Sequence, residues 1–91
     1  MHAVIHDEQR QRFLVQTDQG ECVLEYRREG PAVWDFHHTY VPPELRGHEI
    51  ASDLTTFALN YARTHHIWVI PSCPYVSAFI EKHPEFKDLI A

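Results

Sequence analysis

Three apolar stretches in the first half of the chain are separated by short turns, a pattern typical of a small antiparallel sheet. Residues 12–17 and 22–28 are rich in apolar side chains, and a glycine-containing turn joins them. A second such turn leads into residues 33–41. Strands joined by short glycine-containing turns pair as hairpins. The pattern therefore predicts a three-strand antiparallel meander, whereas residues 1–10 are polar, show no period and predict no element.

Strict alternation in the third of these strands divides its side chains between two faces, since residues two apart point the same way. One face carries Trp34, Phe36, His38 and Tyr40. The opposite face carries Asp35, His37 and Thr39. The large aromatic side chains of the chain are expected in the core, and these are Trp34, Phe36, Phe57, Trp68 and Phe79.

A longer period governs the second half of the chain. From about Gly47 to Thr64 the apolar residues recur at helical spacing, namely at Ile50, Leu54, Phe57, Ala58 and Tyr61. Residues 67–70 form a short apolar run without alternation, which predicts a strand buried on both faces. A second helix is expected to start at Pro74 and to stop at Pro84. Strand, helix and strand in this order predict a right-handed βαβ unit with parallel strands, so the fold class is mixed α/β.

Length and composition allow a single domain covering residues 1–91. Two cysteines, Cys22 and Cys73, allow at most one disulfide, which favours a reducing, cytoplasmic setting. No stretch approaches the roughly 18 apolar residues of a membrane span. The net charge of −5, with histidines neutral, argues against a nucleic-acid partner, because such a partner needs a basic face.

The connection between the third strand and the first helix is the segment best placed to bind an anion. A helix N-terminus presents backbone N–H groups without intrahelical partners, and the helix dipole adds positive charge there. Phosphate is the usual occupant of such a site, and Arg46 adds a guanidinium. The segment also follows the carboxyl end of a strand, where open α/β sheets bind ligands. An ordinary helix start with a surface arginine is the alternative interpretation.

Residues 38–54, which read HTYVPPELRGHEIASDL, resemble the acetyl-CoA segment of the GNAT superfamily of N-acetyltransferases. The runs VIPSCPYV at 69–76 and FIEKHPEF at 79–86 are similar to the small stand-alone YjdJ-type branch, which lacks the usual N-terminal helices. The resemblance covers roughly residues 11–90. It implies a GNAT-like fold, with acetyl-CoA as co-substrate and an amine as acceptor.

The resemblance also implies roles for individual residues. The superfamily phosphate loop, Q/R-x-x-G-x-G/A, maps onto residues that would hold the pyrophosphate through their backbone amides, namely Arg46, Gly47, His48, Glu49, Ile50 and Ala51. The pantetheine arm would lie between the third and fourth strands, with Tyr40 and Val41 on one side and Pro74 and Tyr75 on the other. The Val41 amide would polarise the thioester carbonyl.

Two positions depart from the family pattern. Glu49 stands where the phosphate loop has its central glycine, which places a carboxylate near a doubly charged group. Two like charges about 4 Å apart repel by about 1 kcal/mol in water and about 4 kcal/mol at an effective dielectric of 20. Tyr40 stands where the YjdJ-like pattern commonly has an acidic residue. A chain that keeps the fold without the activity is therefore the alternative to an active enzyme.

Cys73 and His38 are the candidate catalytic side chains. Cys73 comes just before the second helix, where a helix dipole stabilises a thiolate that would accept the acetyl group, and a structural thiol is the alternative. His38 has the intrinsic pKa of a general base, and a packed histidine is the alternative. Cys22 is expected in the core. The adjacent pairs at 37–38 and 65–66 do not suit chelation, so no metal site is predicted.

These observations lead to three hypotheses. The first is an acetyl-CoA-dependent N-acetyltransferase that acts on an unidentified primary amine, with direct attack favoured over an acetyl-Cys73 intermediate. Its acceptor site would be shallow and would suit an exposed lysine or a polyamine. The second is a CoA-binding or catalytically inactive domain. The third is an interaction module that gains stability as a homodimer, because small cores often need such support.

Overall fold

The computed structural model describes residues 2–91 and places five strands side by side in chain order. The strands are β1 (Ile5–Asp7), β2 (Arg12–Thr17), β3 (Gly20–Gly30), β4 (Val33–Tyr40) and β5 (Trp68–Ile70). The helices are α1 (Ile50–Thr64) and α2 (Pro74–Lys82), with 3-10 turns at Pro43–Leu45 and Pro84–Leu89. Neighbouring strands from β1 to β4 pair antiparallel. β4 pairs in parallel with β5, and α1 connects the two strands. The predicted meander and the parallel strand–helix–strand unit are both present.

The first strand was not predicted, because its one inward-facing side chain is a histidine. β1 pairs with β2 through Ile5 opposite Leu14. His6 points inward, where its ring stacks on Phe13 with centroids 4.3 Å apart. Its Nε2 atom lies 2.6 Å from the Tyr26 hydroxyl oxygen. A polar aromatic residue thus fills an apolar position, so no hydrophobic period reveals the strand.

The strand register divides the sheet into a helix face and an open face. The helix face supplies the strand residues of one core cluster shared with α1 and α2, and these are Phe13, Val15, Cys22, Leu24, Tyr26, Trp34, Phe36 and Val69. Leu14 and Val23 are also buried, but they lie on the open face and outside that cluster. Both helices therefore pack on the same side of the sheet. Cys22, Trp34, Phe36 and Phe79 are buried as predicted.

A β-bulge at His37 overturns the predicted faces of the third strand. Glu25 pairs with His38 while the next residue of β3, Tyr26, pairs with Phe36, so His37 is the extra residue. An extra residue in one strand shifts the alternation of everything beyond it. Thr39 therefore joins the helix face, while His38 and Tyr40 point to the open face and are exposed. The expectation that they share a face with Trp34 is wrong.

Helix α1 begins three residues later than predicted and buries a different stripe. Gly47 and Glu49 have φ values of 87° and 64°, which right-handed helix excludes, so the helix starts at Ile50. The buried residues follow two adjacent rows of the helix, namely Ile50, Leu54, Thr55, Ala58, Leu59 and Ala62. Phe57 lies on the flank of this stripe and is 42% exposed, so its assignment to the core is wrong.

The last strand is buried on one face only. Trp34 pairs with Val69 on the helix face, and Val33 pairs with Trp68 on the open face. Because no helix of the core cluster covers that face, Trp68 is 51% exposed, contrary to expectation. No helix among residues 2–91 is long and apolar enough to cross a membrane.

Candidate functional site

The sheet opens where β4 runs beyond its parallel partner. Pairing between β4 and β5 ends at Asp35 opposite Ile70. One further main-chain hydrogen bond follows, from the Cys73 N–H to the Phe36 carbonyl oxygen at 2.9 Å. β4 then continues to Tyr40 with no strand of residues 2–91 on that edge. The two strands therefore part at their carboxyl ends and leave a main-chain edge free.

A cleft of about 570 Å³ lies at this opening, between the end of β4 and the start of α1. Its lining contains eight of the ten residues predicted to bind the co-substrate, namely Tyr40, Val41, Arg46, Gly47, Glu49, Ile50, Ala51 and Tyr75. His48 and Pro74 lie outside the lining. Thr39, Leu45 and Ser52 also line the cleft and were not predicted. For Thr39 the signal was hidden by the bulge, which turned its side chain toward the helix face.

The start of α1 presents unpaired donors to this cleft. The first N–H with a helical partner is that of Asp53, which donates to the Glu49 carbonyl oxygen at 3.0 Å. The N–H groups of residues 49–52 donate to no group of residues 2–91. Four successive free donors at the positive end of a helix dipole are a donor set that suits an anion. The left-handed backbone at Gly47 and Glu49 turns the chain into this arrangement.

Two charged side chains lie beside these free donors. Arg46 donates from Nε to the Val41 carbonyl oxygen at 2.9 Å, so its guanidinium ties the loop back to the end of β4. Glu49 is exposed, makes no hydrogen bond or ion pair among residues 2–91, and lines the cleft. Its left-handed φ of 64° is a conformation that costs a non-glycine residue about 1 kcal/mol or more. Glycine would remove both the strain and the carboxylate.

Cys73 lies behind the cleft wall. Its Sγ atom is 3.4 Å from Thr39 Oγ1, at hydrogen-bonding distance, and the residue is only 5% exposed. Thr39 lines the cleft, whereas Cys73 does not. The predicted acetyl acceptor is thus a packed thiol that holds Thr39 against the start of α2. An acetyl-cysteine route would require Thr39 to move aside.

The second candidate catalytic residue also lies outside the cleft. His38 is exposed on the open face, opposite Glu25 in the register, and does not line the cleft. Tyr75, at the start of α2, does line it, and burial raises the pKa of its phenol. A tyrosine phenol is protonated at neutral pH even without this shift, so Tyr75 can donate a hydrogen bond into the cleft. Among residues 2–91 no group of three or more His, Cys, Asp or Glu side chains is arranged to hold a metal ion.

Comparison with known families decides what kind of fold carries this cleft. The family model described as GCN5-related N-acetyl-transferase matches residues 12–89. The chain belongs to the GCN5-related N-acetyltransferase family. Its GNAT-like fold and its membership of an acetyltransferase family are therefore established, and both were predicted from the sequence.

Relatives of known sequence and structure agree with this family. Protein NATD1 of Danio rerio is 30% identical over 91 residues, which cover 96% of this chain and 83% of the relative. Protein NATD1 of Bos taurus is 31% identical over 83 residues, covering 89% and 74%. The NMR structure of a GCN5-like protein from Staphylococcus aureus superposes with a TM-score of 0.77 and 22% identity, covering 98% of this chain and 87% of that one. This structural similarity concerns the fold alone.

Proposed function

We propose that this protein transfers the acetyl group of acetyl-CoA directly to a primary amine. Members of the family generally use acetyl-CoA as the acetyl donor. The observation that supports the proposal is the set of four unpaired N–H groups at the start of α1, which opens into the cleft beside the free edge of β4. These donors suit the pyrophosphate, because an anion there also gains the helix dipole. The main-chain edge of β4 suits the amide groups of the pantetheine arm.

The reaction needs little covalent chemistry from the protein. The lone pair of a neutral amine attacks the thioester carbonyl carbon, a C–N bond forms, and the C–S bond breaks. The nitrogen loses a proton to water, and the sulfur leaves as a thiol after taking up a proton. Tyr75 is the cleft residue suited to donate toward that sulfur, since its phenol is protonated at neutral pH. The chain otherwise positions the two reactants, which alone lowers the barrier substantially.

Direct transfer is favoured over an acetyl-Cys73 intermediate. Covalent attack requires the reacting atoms to approach within about 3–3.5 Å. The Cys73 thiol is buried behind Thr39 and absent from the cleft lining. The packing role of this thiol, which ties the end of β4 to the start of α2, accounts for its position without a covalent step.

A second candidate function is a catalytically inactive domain that binds CoA weakly and transfers no acetyl group. The observation that favours it is Glu49, an acidic residue in the cleft lining where the phosphates would bind. Repulsion there weakens co-substrate binding and lowers the occupancy of the site at a given acetyl-CoA concentration.

Calorimetric titration of acetyl-CoA, followed by release of free thiol in the presence of a panel of amines, tests these functions. Binding together with amine-dependent thiol release supports the transferase. Binding without thiol release from any amine supports the second candidate. Ser52→Pro removes one of the four donors and should weaken binding, whereas Ser77→Ala, on the exposed side of α2, serves as the matched control. Absence of binding by the native chain and by Glu49→Gly would overturn both functions.

A further inference from the structure

The cleft connects the two faces of the sheet. Thr39 belongs to the helix face and Tyr40 to the open face, yet both line the same cleft. The passage between them runs along the free edge of β4. A co-substrate bound at the start of α1, on the helix side, therefore reaches the open face by passing this edge. An acceptor that approaches from the open face would reach the co-substrate beside Tyr40.

The open face carries an excess of negative charge. Four carboxylates lie on it by the strand register, namely Asp7, Glu21, Glu25 and Asp35. Two guanidiniums oppose them, those of Arg12 and Arg27. Arg12 is engaged with Glu21 at 3.2 Å and lies 3.9 Å from Asp7. The face is therefore suited to a cationic partner.

Two of these carboxylates make no ion pair or hydrogen bond among residues 2–91, and both lie along the strands that lead to the cleft. Glu25 of β3 makes no ion pair or hydrogen bond. It lies opposite His38 of β4, the strand that leads to Tyr40. Asp35 is the last residue of β4 that pairs with β5, at the base of the opening. Its Oδ1 atom is buried and has no hydrogen-bond partner. Arg27 lies opposite Asp35 on β3, but its ion pair is with Glu29 at 4.0 Å, so the Asp35 carboxylate is left for a bound cation.

An apolar row crosses the same face and ends at the cleft. The register aligns Ile5, Leu14, Val23 and Tyr40 on four neighbouring strands. The two ends of the row are its exposed part, with Ile5 51% and Tyr40 44% exposed. Three interstrand steps of about 4.8 Å make the row roughly 14 Å long, the span of about four extended residues. A small polyamine offers only short methylene linkers to such a row, whereas a polypeptide segment offers whole apolar side chains.

We propose that the open face is the acceptor platform and that the acceptor is a lysine-bearing, basic polypeptide segment with apolar side chains. This inference rests on the proposed function and names its substrate class. The apolar side chains pack on the ends of the row, and the cationic groups lie over Glu25 and Asp35. One lysine reaches the cleft at Tyr40, where its deprotonated amine forms the C–N bond as the C–S bond breaks.

Equilibrium binding tests the platform without requiring turnover. The probe is a fluorescein-labelled dodecapeptide of alternating lysine and leucine, followed by fluorescence anisotropy with the full chain. We expect saturable binding that weakens with added salt, because exposed charge pairs are screened. The Glu25→Gln, Asp35→Asn double variant should bind about tenfold more weakly. Glu81→Gln, which removes an exposed carboxylate on α2, is the matched control and should bind like the native chain.

Two comparison peptides and a small amine define the outcome. Replacing leucine by serine should weaken binding about tenfold, and replacing lysine by glutamate should abolish it. Equal affinity for the serine peptide, or competition by spermidine at the same concentration as the peptide, would show that the face binds simple cations and would overturn the proposal. Unchanged affinity of Glu25→Gln alone and of the double variant would also overturn the proposal. Acetyl-CoA titration is separate: its failure rejects the proposed function while the anisotropy result still decides the surface.

Discussion

Replacing Glu49 by glycine should improve both co-substrate affinity and stability. Glu49 is an acidic residue in the cleft lining, next to the free N–H groups, and its backbone is held at φ 64°. Because the side chain is exposed, the dielectric there is close to that of water. Repulsion from a phosphate about 4 Å away is then about 1 kcal/mol, so removing the carboxylate should tighten acetyl-CoA binding about fivefold.

The stability effect has a different origin. Left-handed backbone costs a non-glycine residue about 1 kcal/mol or more, and glycine loses about 0.5–1 kcal/mol of that gain through its greater freedom when unfolded. A net gain of about 0.5 kcal/mol raises the melting temperature by about 2–4 °C in a domain of this size. Glu49→Gln removes the charge and keeps the strain. It should therefore tighten binding to a similar extent without raising the melting temperature.

Calorimetry at low and high salt, together with thermal unfolding, measures both effects. Glu44→Gln is the matched control, because Glu44 is an exposed carboxylate on the preceding 3-10 turn and does not line the cleft. Its dissociation constant should stay within about twofold of the native value. If Glu49→Gln and Glu49→Gly both leave the dissociation constant unchanged at low salt, the start of α1 is not the phosphate site and the reasoning fails.

Three further predictions concern residues outside the phosphate site. Burial lowers the pKa of His6 below its ordinary value of 6.5, so the neutral imidazole stabilises the fold above that pH and this stabilisation is lost as pH falls. In urea unfolding, the free energy of unfolding should therefore fall less between about pH 7.5 and pH 5 for His6→Gln than for the native chain. An equal fall in both would contradict this. Intact-mass spectrometry after incubation with acetyl-CoA should show no acetyl group on Cys73, since the thiol is buried, and Cys73→Ala should keep amine-dependent thiol release within about tenfold. Leu54→Ala should lower the free energy of unfolding by about 2–5 kcal/mol because Leu54 is fully buried, whereas Phe57→Ala, at a site 42% exposed, should lower it by less than half as much.

The sequence predicted the elements whose residues repeat with a clear period. The three longer strands, α1 and the parallel pairing of β4 with β5 all follow from apolar spacing and turns. β1 escaped because His6, hydrogen-bonded to Tyr26, occupies its one inward position. Phe57 and Trp68 were placed in the core on hydrophobicity alone. Their exposure depends on which helix row faces the sheet and on which face the helices cover, and neither is a property of one segment.

The cleft contains most of the residues predicted to bind the co-substrate and neither of the two candidate catalytic side chains. Eight of ten expected residues line the cleft, because a helix start after a strand determines where free N–H groups collect. His38 and Cys73 lie outside it, and Thr39 was missed. For His38 and Thr39 the cause is the bulge at His37, which depends on pairing with β3 and leaves no mark in the β4 sequence itself. A one-residue slip of this kind exchanges inward and outward side chains.

The four free donors at the start of α1 belong to peptide groups, and that determines how the site responds to mutation. Alanine scanning leaves every peptide N–H in place, so Ser52→Ala would keep its donor even if that donor binds the phosphate. Only proline deletes the donor itself. To weaken or rebuild this set of donors, one must therefore change the main chain itself, either by introducing proline or by shifting the residue at which the helix begins. Exposed side chains nearby, such as that of His48, can change without removing a donor.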